Sequence, residues 1–273
     1  MLTLVEARNN QGDLLNFPLD DISDGIILAS IEGLDPVKAT LISSNYAQQD
    51  GAQFHSARRE TRNILIKLGL EPDYIVTSVR DLRSLLYNFF MPKTEVELRF
   101  IMSESPTVSI TGRVESCETP LFTSTPQVDI SMICFHPDFT ELTPNVLSGN
   151  STDDTTETLI EYVGTVETGM ELVFSIDRTL TEFTFYHRLP NGQINTLDFA
   201  GALEAGDVLT INTNTGLKGA ILTRSSVNTS VLYGVTPQST WHELERGDNY
   251  IRIFAEGADI PYTITYTTEY GGL

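Results

Sequence analysis

One stretch of this chain has a helical period, and short apolar runs cut by turns surround it. Leu82, Leu85, Leu86 and Phe89 recur at i, i+3, i+4 and i+7, the spacing that lines one face of an α-helix. Arg80, Arg83 and Asn88 take the other side, and Pro92 stops the pattern. Ser78 with Asp81 three residues on resembles a capping box with a shortened acidic partner, so a helix is predicted over about 78–91. Its apolar stripe reads as core packing.

Everything else has the pattern of strands. GIILASI (25–31), VKATLIS (37–43) and RNILIKL (62–68) precede the helix, and VELRFIM (96–102), VSITGRVES (108–116) and VDISMICF (128–135) follow it. The segment 141–158 is polar and poorly periodic, and reads as a linker. Beyond it LIEYVG, MELVFSID, EFTFYHRL, VLTINT, AILTRSS, YIRIFAE and YTITYTTEY succeed one another. Turns such as Pro190-Asn191-Gly192, Gly206-Asp207 and Gly247-Asp248-Asn249 separate them, the rhythm of a sandwich or jelly roll. The reading is a mainly β chain in two domains. Residues 1–140 form a β-sandwich or barrel-like domain with one helix, and 159–273 form an antiparallel β-sandwich.

A chain of 273 residues with 40% hydrophobic and 20% charged residues can bury a core for each domain. Its formal net charge of −20 opposes specific nucleic-acid binding, which needs a basic stripe to displace counterions. No leader pattern and no 18-residue apolar run stand in the sequence, so membrane insertion is not expected and synthesis in a cytoplasm is. Cys117 and Cys134 form neither a metal spacing nor a disulfide framework and read as free, structural thiols. The sequons at Asn150 and Asn228 carry little meaning without a leader.

No catalytic, metal or cofactor signature stands out. His55, His136, His187 and His242 lie in unrelated segments, none at ligand spacing. No nucleophile elbow or phosphate-binding glycine loop is present. Carboxylate pairs such as Asp20/Asp21, Asp153/Asp154 and Glu243/Glu245 read as solvated surface, although a glycosidase pair is an alternative. DDISDG (20–25) is only a weak fragment of a Ca²⁺ loop. Tyr233, Trp241 and Tyr250 offer a second alternative, a sandwich that stacks aromatic rings on sugars, against which Trp241 reads more simply as core.

Two stretches carry a family resemblance. GRVESCETPLF (112–122), followed by VDISMICFHPDF (128–139), resembles the end of the N-terminal domain in distal tail proteins of siphophages. There an apolar strand ends in a Cys-x-x-Pro-x-Phe element, here Cys134, Pro137 and Phe139. IEYVG, LEAGDVLTINTNTG (203–216), ELERGDNYIRIFAEG (243–257) and ITYTTEYGGL (264–273) are similar, in order, to the galectin-like C-terminal domain of that family. The resemblance covers nearly the whole chain. It implies a structural virion protein without enzymatic activity or cofactor: a homohexameric ring at the distal end of a long non-contractile tail. Its partners would be the tail tube protein above and tail-tip, receptor-binding or side-fibre proteins below, with DNA passing through the lumen.

Residues 44–61 complete the reading. Asp50-Gly51 is a turn pair, and Arg58, Arg59 and Arg62 concentrate positive charge in an acidic chain. The resemblance implies a belt here that reaches over the neighbouring subunit. The arginines then either meet carboxylates of the next copy or pair locally with Glu60 or Asp50.

Overall fold

The structure, a computed structural model, describes residues 2–19, 25–47, 50–120, 126–152, 154–257 and 259–273. DDISDG, apart from Gly25, lies outside them, as does Asp153. The chain divides into two compact units, Met1–Leu142 with the terminal Tyr270–Leu273, and Thr143–Glu269. Both are built from antiparallel strands. Among the described residues no helix is long and apolar enough to cross a membrane.

In the first unit the strands are β1 (Leu2–Asn9), β2 (Leu14–Pro18), β3 (Ile26–Glu32), β4 (Ala39–Ser44), β5 (Gln53–Arg59) and β6 (Arg62–Leu70). After the helix α1 (Val79–Phe89) come β7 (Glu95–Met102), β8 (Val108–Glu118), β9 (Gln127–Cys134) and β10 (Phe139–Glu141). A curled sheet runs in the order β2-β1-β7-β8-β9-β6-β3, and β10 adds to β8. Alternation decides its inner face. Along β6, Arg62, Ile64, Ile66, Leu68 and Leu70 are buried and the residues between them are not. These side chains form one core with Val5, Val96, Leu98, Phe100, Val128 and Met132.

The helix supplies the other side of that core through Leu82, Leu86 and Phe89. Leu85, expected in the same stripe, is 46% exposed, because the buried arc is narrower than the apolar one. The capping box forms with aspartate as its acidic member. The Asp81 amide donates to Ser78 Oγ at 3.3 Å, and the Ser78 amide donates to Asp81 Oδ2 at 3.0 Å. Such a cap is worth about 1 kcal/mol.

The second unit contains β11 (Asn145–Asn150), β12 (Thr158–Tyr162), β13 (Glu171–Ser175), β14 (Leu180–Arg188), β15 (Ile194–Leu203) and β16 (Val208–Asn212). It continues with β17 (Gly219–Arg224), β18 (Val227–Ser230), β19 (Gly247–Ala255) and β20 (Pro261–Tyr266). One sheet runs β11-β20-β13-β16-β17-β18 and the other β12-β19-β14-β15. Phe174, Leu209 and Ile264 from the first meet Phe183, Phe185, Phe199 and Ile251 from the second in one core, which makes the unit a β-sandwich.

The segment read as a linker is not one throughout. Asn145–Asn150 pairs along its length with β20, from Asn145↔Tyr266 to Asn150↔Pro261. No apolar stripe marks this edge strand, since Val146 is 63% exposed, so only the backbone ladder defines it.

The hairpin β17–β18 also lacks the expected turn chemistry. Arg224 pairs with Val227, and the two loop residues, Ser225 and Ser226, both have positive φ, at 50° and 64°. Two such residues in a two-residue loop make a type I′ turn, for which Asn-Gly is the favoured pair. Ser225→Asn with Ser226→Gly is expected to stabilise this unit by about 1 kcal/mol. A chemical denaturation series would show the gain, and an unchanged midpoint would contradict the strain argument.

Candidate functional site

The segment expected to be a belt loop is a β-hairpin, and it begins earlier than the arginine-rich stretch suggested. Among the described residues, strands β4 and β5 pair only with each other, from Ala39↔Arg59 to Ser44↔Gln53. Gly51 in the connection has φ +91°, which fits its part in the turn. Every residue of β5 is exposed, on both faces of the strand. Leu41 is 67% exposed, Ile42 50% and Phe54 61%. An isolated two-stranded hairpin is marginally stable in water, and here it displays exposed apolar side chains.

Its base, in contrast, is firmly fixed. Arg62 opens β6 on the inward face and is 1% exposed. Its Nε donates to Pro137 O at 2.6 Å. Its Nη1 donates to Gly33 O at 2.6 Å and Asp35 O at 2.7 Å, and its Nη2 to Gly271 O at 2.7 Å. The guanidinium carbon lies 4.4 Å from the Phe139 ring centroid. Burial lowers the Arg62 pKa, with Asp138, Cys134 and Asp35 acting the other way, but an arginine stays charged. One side chain thus ties together four segments of the first unit, including the chain's last residues. Gly33 completes the fit: it has φ +90°, and a Cβ there would sit 2.1 Å from Asn63 O.

Arg59 secures the second leg. Its Nη1 lies 2.6 Å from Oδ1 of Asp138, whose side chain is 2% exposed. The Glu60 amide donates to Lys38 O at 3.0 Å, and Thr40 Oγ1 donates to the Glu60 carboxylate. The three arginines therefore have three different situations. Arg62 is buried and cannot reach another copy, a correction to its place among the belt candidates. The reason is parity: it stands an even number of residues from Ile64, Ile66, Leu68 and Leu70. Arg59 holds a buried carboxylate, neither Glu60 nor Asp50. Arg58, exposed on β5, makes no ion pair among the described residues. Asp50 and Gly51 are exposed near the hairpin tip.

Comparison with known proteins fits this architecture. Residues 163–270 match the family described as siphovirus-type tail component, C-terminal domain. Over those residues the chain is similar to that tail-component domain. The crystal structure of the Dit (gp 19.1) protein of phage SPP1 is described as a paradigm of the hub adsorption apparatus in phages infecting Gram-positive bacteria. It covers 97% of this chain and 98% of its own, with a TM-score of 0.70 and 15% identity. That likeness is one of fold, and it extends over both units. The phage P2 baseplate in its activated conformation with Ca matches over 100% of both chains with a TM-score of 0.44 and 9% identity. No curated protein matches by sequence.

The three aromatic residues considered for sugar stacking are placed very differently. Tyr233 is 84% exposed on a short 3-10 turn, Leu232–Gly234. Trp241 is partly buried against the sandwich core. Tyr250 lines a shallow pocket of about 500 Å³ with Arg188, Pro190 and Asp248, which neither Tyr233 nor Trp241 lines. Arg188 lies 3.8 Å above the Tyr250 ring and occupies one of its two faces.

Two features were not legible from spacing. His187 on β14 and His242, 55 residues later, are fully buried and meet edge to face with ring centroids 5.3 Å apart. The thiols show the usual effect of burial, which pushes Cys117 up to about 11 and Cys134 up to about 12. Both are therefore protonated and poorly nucleophilic near neutral pH.

Proposed function

We propose that this tail component forms a ring of six copies at the distal end of a long non-contractile tail. The ring continues the tail tube above, opens onto the adsorption apparatus below and lets DNA pass. The observation that carries the reading is the hairpin β4–β5: exposed along its length, apolar at Leu41, Ile42 and Phe54, and fixed at its base by Arg62 and by Arg59 with Asp138. A side of the molecule that is rigidly held and uncovered in one copy suits a contact with another. A closed ring needs contacts of this head-to-tail kind, in which one patch meets a different patch on the next copy. The net charge of −20 agrees with a lumen that does not retain phosphates. The second unit is then the part turned toward receptor-binding or side-fibre components.

Light scattering with negative-stain microscopy across a salt series tests the ring. Six-fold particles are expected, with a larger assembled fraction as salt screens the acidic surface. A monomer at every salt and protein concentration would sink the reading. Arg58→Glu should weaken assembly only mildly, since exposed pairs contribute about 0–1 kcal/mol each. Arg59→Glu is a different experiment, because it sets a second carboxylate against the buried Asp138 in place of the guanidinium.

A further inference from the structure

The first unit carries a second exposed apolar feature, on the connection between β6 and the helix. Tyr74, Ile75 and Val76 are 78%, 93% and 79% exposed, the only run of three large exposed apolar residues among those described. The loop has a fixed shape. Asp73 Oδ1 accepts from the Ile75 amide at 3.0 Å, and Asp73 O accepts from the amides of Val76 at 2.9 Å and Thr77 at 2.7 Å. The capping box at Ser78 holds its far end. Such a loop loses little freedom on docking, so most of its apolar area is available as affinity.

Its chemistry complements the hairpin. Glu71 and Asp73 precede the apolar tip, both exposed, and no lysine or arginine lies between Glu71 and Val79. The hairpin segment 38–59 holds Lys38, Arg58, Arg59 and His55 against one acid, Asp50. Beside the loop is a pocket of about 400 Å³ lined by Leu70, Glu71, Pro72, Tyr74 and Pro126, of a size and polarity to take an aromatic side chain. On the hairpin, Phe54 is such a side chain, 61% exposed.

We propose that the loop 71–77 of one copy is the surface that receives the β4–β5 hairpin of the next copy. Tyr74, Ile75 and the pocket beside them meet Phe54, and Glu71 and Asp73 face the basic strand that carries it. The contact rests on the ring reading above and names the two patches that reading requires. Every copy carries both patches, and they differ, so the contact propagates head to tail.

Full-length protein carrying Ile75→Cys is mixed with full-length protein carrying Phe54→Cys and treated with a short bismaleimide. The native thiols give little background, since Cys134 is buried and burial holds both thiols protonated. The expected result is a crosslinked peptide joining positions 75 and 54, formed between copies. In parallel, Tyr74→Ser with Ile75→Ser should raise the concentration needed for assembly by roughly tenfold or more. If rings form at the parental concentration in the double variant and no 54–75 link appears, the contact is overturned while the ring stands. A protein that stays monomeric and uncrosslinked at all salt concentrations overturns both.

Discussion

Replacing Arg62 by alanine is expected to destabilise the first unit by about 3–5 kcal/mol, the usual cost of breaking a buried, fully partnered charged group. The loss has an identifiable source. Four backbone carbonyls, those of Gly33, Asp35, Pro137 and Gly271, accept from one guanidinium inside the fold. Without it they lose a charged donor inside the fold, and the flank of Phe139 loses the guanidinium packed on it. Lysine should recover little, because an ammonium group cannot present the same planar fork. The terminal residues supply a local readout. The Leu273 amide donates to Leu34 O at 3.1 Å, and its exchange protection should fall in the variant together with the urea midpoint of the unit. Arg58→Ala is the matched control and should change stability by no more than a few tenths of a kcal/mol. Wild-type stability in Arg62→Ala would refute the anchor role.

The second large effect concerns acid. The His242 Nε2 lies 3.2 Å from Phe185 O, which can only accept, so that nitrogen holds the proton. Asn249 donates its amide to Glu245 O and Gly247 O, so its Oδ1 accepts from His187 Nε2 at 3.0 Å. Both rings are therefore neutral, and both Nδ1 atoms are buried without a partner. Burial, reinforced by the neighbouring His187, holds His242 down at about 3, and burial also lowers His187.

A folded pKa below the unfolded one means that the unfolded chain takes up a proton the folded chain refuses. The stabilising contribution of the neutral ring is thus complete above the unfolded value, near 6.5, and declines as pH falls toward about 3. The slope approaches about 1.4 kcal/mol per pH unit, which comes to about 2 kcal/mol from His242 between pH 6.5 and pH 5. Falling pH also discharges the acidic surface and relieves its repulsion, so the comparison has to be made against a variant. His242→Gln should flatten the pH dependence of the second unit's urea midpoint between pH 7 and pH 5. An equal slope in the variant and the parent would assign the acid sensitivity elsewhere.

The candidate site illustrates how unevenly sequence encodes position. Asp50-Gly51 and the strand-like VKATLIS announce a reversal of the chain, and the hairpin is where they put it. Arg62 is a neighbour of Arg58 and Arg59 in sequence, and charge alone groups the three. Its period-2 relation to Ile64, Ile66, Leu68 and Leu70 was equally visible and assigns it to the core. A parity argument therefore outweighs a charge argument when the strand is already recognised. The exposed tripeptide Tyr74-Ile75-Val76 is apolar by composition and would pass for the end of a strand. Only the turn that Asp73 organises turns it outward.

What the sequence determined by itself was set by local rules. The helical period and cap fixed α1, alternation fixed most strands, and turn residues separated them, because each depends on side chains within a few positions of one another. Tertiary structure alone decided three things. Strand β11 exists because its backbone finds β20 more than a hundred residues later. The residues Tyr270–Leu273 belong to the first unit, where the guanidinium of Arg62 binds the carbonyl of Gly271. His187 and His242 become a pair because β14 and the segment before β19 bring them together. These are contacts between distant parts of the chain, made by backbone groups every residue possesses or by single side chains, and no local periodicity records them.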